Sequence, residues 1–353
     1  MRKENDFVRQ CFVGFTKIVV CVGIAVLAGG CPPSSSPQDK PNGKFDFPLP
    51  PAPPRVPAAQ QTLLDPALRQ AARDRLLAGL KDANELTQAH SLEAVGEVGR
   101  YDKDGPDYSP EVIEALHSDS ELVRFSAALT AGRLKMEPAR KTLEGMLYDH
   151  SVKVCVGVRF ALHMLGDTRH SHDLEKFSRD PDPTVRGAVA EVLGMMNEPS
   201  AVKILRLMRI DHDPRVIQQA AEALWHYGNE DGRDELIALT VSQHPDDEMF
   251  GLLALAEPRN IEIREHVRAD LVSDWMEVSL VAARGMGMLG SDEGYTIAMQ
   301  GAASKDSFRR FLAALALGSI GRSDEQPTLA KLLKDRSAAV QIAAAEAILQ
   351  LQA

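Results

Sequence analysis

The amino-acid sequence predicts an all-α fold, an α-solenoid of about eight 31-residue helix pairs preceded by an N-terminal helical cap. Three observations carry this. Stepping by thirty-one from Val123 meets Val154, Val185, Val216, Asp247, Val278, Arg309 and Val340. Four residues further on stand Ala127, Val158, Val189, Ala220, Gly251, Ala282, Ala313 and Ala344; eight further on, Ala131, Leu162, Leu193, Leu224, Leu255, Met286, Leu317 and Ile348. These offsets share one helical face, so each unit opens with an amphipathic helix. Second, Gly166, Asn197, Gly228, Gly290 and Gly321 recur twelve residues after their anchors, and Gly and Asn tolerate the left-handed conformation that ends helices. Third, aromatic residues make up only 5% of the chain, whereas strands favour aromatic and β-branched side chains.

Taken in chain order, residues 1–30 read as a lipoprotein-type signal peptide. A basic leader ends at Lys17, Ile18 to Leu27 is apolar, and Ala28-Gly29-Gly30 precede Cys31. The apolar run falls short of the roughly 20 residues that span a bilayer. Residues 31–60 form a Pro-rich tether, with ten prolines between Cys31 and Pro57, a composition that favours extended chain. Residues 61–118 form the N-terminal helical cap region: Asp65 to Asp82 and Asn84 to Arg100 are helical in pattern, and Pro110 to His117 resembles a second helix. Residues 119–353 are the repeat solenoid. Asp119, Asp182, Asp213, Asp274 and Asp306 precede the anchors as N-caps. A second-helix column runs Leu143, Leu174, Leu205, Leu236, Val267, Ala298 and Leu329. One such pair cannot bury its own apolar stripe, so neighbours stack into a continuous core.

The stretches from Asp182 to Gly194 and from Val278 to Gly290 resemble the HEAT-repeat superfamily, most closely the short HEAT-like repeats of phycobilisome lyase subunits. The start of the chain is similar to bacterial lipoproteins, whose lipid-carrying cysteine would be Cys31; here Ala28 stands where that family usually has Leu. These resemblances imply export and a lipid anchor in the bacterial cell membrane or outer membrane. The HEAT resemblance further implies that the outward side of the second helices lines a concave surface.

On that side fall Lys141, His172 and Lys203, then Asp234 and Glu265, so the surface should change sign along its length. Beside them lie Leu207, Ile210, Val241 and Val272, a strip expected to bind another protein; the alternative is that Ile210, Val241 and Val272 tuck under the turns between repeats. The net charge of −10 disfavours nucleic acid, which needs a basic surface. No G-x-S-x-G, P-loop or H-E-x-x-H occurs. His170, His172 and Asp173, with Asp149-His150, Asp180 and Asp211-His212, could form a metal-binding rim, but repeats about 9–10 Å apart hold these groups too far from one another. Deoxyhypusine hydroxylase, another HEAT-like protein, binds iron through repeated His-Glu pairs, and no His-Glu dipeptide occurs here. Two bulky residues, His163 and Trp225, interrupt a column of small ones, and Trp225 would be a contact hot spot if exposed. Cys155 reads as an inert small residue and Met286 and Met288 as core. The expectation is a membrane-anchored, non-catalytic protein-binding scaffold of the cell envelope, with no cofactor and no metal. The alternative is an accessory enzyme or chaperone acting on a cofactor or chromophore.

Overall fold

The computed structural model describes residues 63–351, so the signal peptide, Cys31 and the Pro-rich tether lie outside the described residues. Among those described, eighteen α-helices follow one another without a strand. The first three are α1 (Pro66–Leu80), α2 (Glu85–Val98) and α3 (Ser109–Ala115). Then come α4 (Glu121–Arg133), α5 (Arg140–Gly145), α6 (Val152–Met164), α7 (Asp173–Phe177), α8 (Pro183–Met196), α9 (Ala201–Met208), α10 (Pro214–His226) and α11 (Glu230–Leu239). The last seven are α12 (Pro245–Ala256), α13 (Arg264–Ala269), α14 (Met276–Met288), α15 (Tyr295–Ala302), α16 (Ser307–Ile320), α17 (Gln326–Leu332) and α18 (Ala338–Gln350). None of these helices is long and apolar enough to cross a membrane.

The helices fall into two compact units, residues 73–236 and residues 237–351 with 63–72. In the first, α2, α4, α6, α8 and α10 pack each on the next; in the second, α12, α14, α16 and α18 do the same. Every Val of the anchor column is buried, and so is the whole second-helix column from Leu143 to Leu329. The two polar anchors have partners instead: Asp247 accepts from the Ser242 hydroxyl at 3.1 Å, and Arg309 donates to Glu277 at 2.7 Å.

The helix stops follow one rule. Gly166, Asn197, Gly228, Gly290 and Gly321 all have positive φ, from 55° to 90°. The same repeat position is left-handed at Lys135 (φ 49°) and Arg259 (φ 56°), where the sequence carries no Gly or Asn signal. Packing of consecutive helices dictates the turn there, and a residue with a Cβ bears the strain.

The starts require a correction. The N-caps are Ser120 and Trp275, one residue after the expected Asp119 and Asp274; Asp182, Asp213 and Asp306 do cap, each accepting from a backbone N–H two residues on. A further column lies two residues before the caps: Ser118, Asp149, Asp180, Asp211, Ser242, Ser273, Ser304 and Asp335. Each side chain accepts from the N–H of its cap residue at 2.8–3.2 Å. Ser and Asp suit this because their short side chains reach back to backbone two residues on.

The small-residue column allows close approach. A Cβ on Gly318 would stand 2.7 Å from the Ala347 Cα, so α16 and α18 approach to a distance that only Gly permits. Trp225, in the same column, is buried and fills core; it is not an exposed hot spot. His163 is half-buried, its Nδ1 2.9 Å from the Ser171 hydroxyl.

The Arg133 guanidinium, at the end of α4, donates to the Met195 sulfur near the end of α8 at 3.3 and 3.4 Å, so the C-terminal ends of these two first helices, two repeats apart, approach each other within residues 73–236.

Candidate functional site

The second helices are short because a few buried residues suffice to seat each against its neighbours. In α9, Ala201, Leu205 and Met208 are buried. At 100° per residue, Lys203, Arg206, Leu207 and, just beyond the helix, Ile210 fall on the opposite side, and all four are exposed. Leu207 keeps 56% of its surface in solvent and Ile210 keeps 74%. Val241, at the repeat position of Ile210, is 79% exposed, and Val272, at the next such position, is exposed too. The alternative that Ile210, Val241 and Val272 tuck under turns does not hold: all three stand in solvent, and the turns close on the Ser or Asp that directly follows each, Asp211, Ser242 and Ser273. Tyr148, also at this repeat position, is exposed as well.

Leu207 and Ile210 border a groove of about 510 Å³ between two successive repeats of residues 73–236. One wall is the turn after α7, Ser178 to Pro181; the other is Ile204, Leu207, Met208 and Ile210, continuing into Asp211 and His212. Arg186 of α8 also lines it. Its Nε and an Nη bond the two Asp211 oxygens at 2.8 and 2.7 Å, while its other Nη donates to the carbonyls of Asp180 and Pro181. The bonds from Arg186 hold the Asp211 carboxyl below its ordinary range, and Asp211 in turn raises the guanidinium. The wall is thus riveted, while the apolar rim stays free.

Lys141, His172 and Lys203 are all exposed. Among the described residues Lys141 and Lys203 make no ion pair, whereas His172 stands 3.3 Å from its neighbour Asp173. The acidic positions are paired, Asp234 with Arg233 at 2.9 Å and Glu265 with Arg268 at 3.7 Å. The metal-rim residues do not come together among the described residues: Asp149 bonds Arg124, Asp173 bonds Arg159, and Asp211 bonds Arg186. Cys155 is buried and free, with its thiol donating to the Asp149 carbonyl at 3.3 Å; burial raises its pKa.

Known proteins bear on this site in two ways. No curated protein matches the chain. Among solved structures, the complex of CpcE and CpcF of phycocyanin lyase from Nostoc sp. PCC7120 is 18% identical with a TM-score of 0.42, the similarity covering 70% of this chain and 97% of that one. Human deoxyhypusine hydroxylase is 18% identical with a TM-score of 0.35, covering 81% and 97% respectively. Both names are those of enzymes, so the expectation of a non-catalytic protein does not stand. The family model described as HEAT repeats matches residues 73–162 and 158–225. It therefore reaches upstream of residue 119 into α2, where Leu92 stands one repeat before Val123 and is buried like it. Residues 73–225 thus carry HEAT repeats, and the same register of buried columns, left-handed stops and Ser or Asp turns runs on through α18.

Proposed function

We propose that this HEAT-repeat scaffold is exported, anchored to a bacterial membrane by lipid on Cys31, and held off the bilayer by the Pro-rich tether. It captures a partner protein on the outward side of its second helices. The observation that carries the binding reading is the exposed Leu207 and Ile210 rim beside the groove over Arg186 and Asp211. Solvent-exposed aliphatic side chains at the mouth of a groove yield binding energy when a partner covers them. The anchor reading rests on the apolar run and the small residues before Cys31; the two or three acyl chains of a lipoprotein hold a membrane firmly where a single chain does not.

Two measurements test this. Cys31→Ser should move the protein from the membrane to the soluble fraction or leave its precursor uncleaved, and wild-type protein that is wholly soluble and unlipidated at its mature mass would sink the anchor. Leu207→Glu should abolish crosslinking of the membrane-bound protein to its partner with an unchanged melting temperature. Retained crosslinking would place the contact elsewhere.

A further inference from the structure

Resting on that groove reading, we infer that the bound segment is acidic, with aliphatic or aromatic residues seated between its carboxylates. The chain as a whole is acidic, with a net charge of −10, yet the exposed side of α5, α7 and α9 has the opposite balance. Lys141, Lys176, Lys203 and Arg206 are exposed there and make no ion pair among the described residues. Most of the acids around them are already committed: Glu137 to Arg140, Asp167 to Arg169, Glu175 to Arg179, and Asp211 to Arg186. Glu144 is the exposed exception. The cations are also in register with the apolar rim. Lys203 precedes Leu207 by four residues on α9, which makes them neighbours on the helix surface, and Arg206 precedes Ile210, just beyond the helix, by the same spacing.

A segment with apolar residues against Leu207 and Ile210 therefore brings its flanking side chains against Lys203 and Arg206. Carboxylates at those places gain opposite charges that no described residue satisfies; lysines or arginines would meet like charge. A polyanion without apolar groups would leave the rim uncovered and meet the acidic remainder of the molecule.

Panning a displayed library of random peptides, each roughly twelve residues long, on the full-length chain tests this without presupposing the partner. The selected peptides should be net acidic with at least two large apolar residues, and their binding should weaken steeply with salt. Lys203→Glu with Arg206→Glu should weaken them about tenfold or more, and Leu207→Glu should abolish them; all three residues are exposed and tolerate substitution. Neutral or basic peptides that still depend on Leu207 would overturn the acidic assignment and leave the groove reading standing. Peptides indifferent to Leu207→Glu, or no enrichment at all, would overturn both. Binding to phosphatidylglycerol vesicles that displaces the peptides and depends on the same two cations would reassign the face to a lipid surface.

Discussion

The Arg186 guanidinium and the Asp211 carboxylate, twenty-five residues apart, meet through two bonds of 2.8 and 2.7 Å. The arrangement recurs at the same separation between Arg124 and Asp149 and between Arg310 and Asp335. In each case the arginine follows the anchor residue of a first helix, and its remaining nitrogen donates to two carbonyls of the turn that leads into that helix. One side chain thus ties the turn that precedes its own helix to the equivalent turn one repeat on.

Because Arg310 and Asp335 are both about nine-tenths buried, losing one partner strands the other's charge. Arg310→Met should cost about 3 kcal/mol, the usual range for breaking a buried pair, since Asp335 and the carbonyls of Ser304 and Lys305 lose their donor together. Adding Asp335→Ala should recover part of this. Chemical denaturation of the single and double variants reads both, and additive losses would show that the two groups act separately.

The left-handed stops give a prediction of opposite signs. A Cβ on Gly228 would meet nothing within 4 Å, so Gly228→Val tests backbone strain alone and should cost ~1–2 kcal/mol. Lys135→Gly and Arg259→Gly should each stabilise by roughly 0.5–1 kcal/mol, because relief of that strain exceeds the extra freedom glycine has in the unfolded chain. Thermal unfolding measures all three, and a destabilising Lys135→Gly would mean that its side chain matters more than its φ.

Two leucines of α9 separate stability from binding. Leu205 is fully buried and Leu207 is exposed. Leu205→Ala should cost about 2–5 kcal/mol, whereas Leu207→Glu should change unfolding by less than ~0.5 kcal/mol. Equal losses in circular-dichroism melts would return Leu207 to the core.

Acid should destabilise the protein in two stages. Burial lowers the His90 pKa to about 4 against roughly 6.5 in the unfolded chain. The unfolded state then binds the extra proton between those values, so stability is complete above about pH 6.5 and falls by about 3 kcal/mol as pH drops to about 4. Asp211, held low by Arg186, adds its loss below the ordinary aspartate pKa, as the folded carboxylate is finally protonated. Urea unfolding across this range should show the first slope in the wild type and its absence in His90→Gln.

Much of the fold was legible because a stacked repeat writes the same contact once every thirty-one residues. Leu143, Leu174 and Leu205 repeat because each meets an equivalent neighbour, and Gly228 and Gly290 repeat because each helix must stop at the same place. Less was legible at the candidate site. The Ser and Asp turn column and the arginine that follows the anchor were visible as periodic residues, but their joint use was not. Asp211 could as well have been read as a metal ligand, and only proximity to Arg186 shows where its charge is spent.

From the sequence alone came the repeat length, the helical pairs, the buried columns and the helix stops at Gly and Asn, together with the expectation of a lipid anchor at Cys31. Tertiary structure alone decided that Lys135 and Arg259 are left-handed, that Trp225 is core, that Ile210 and Val241 stand in solvent, and that the end of α4 reaches the end of α8 through Arg133 and Met195. The division has a physical reason. Periodic burial is a local property that each repeat encodes in its own residues, whereas exposure at a helix end, backbone strain and contact across a repeat depend on how closely neighbouring repeats approach, and no single residue type records that distance.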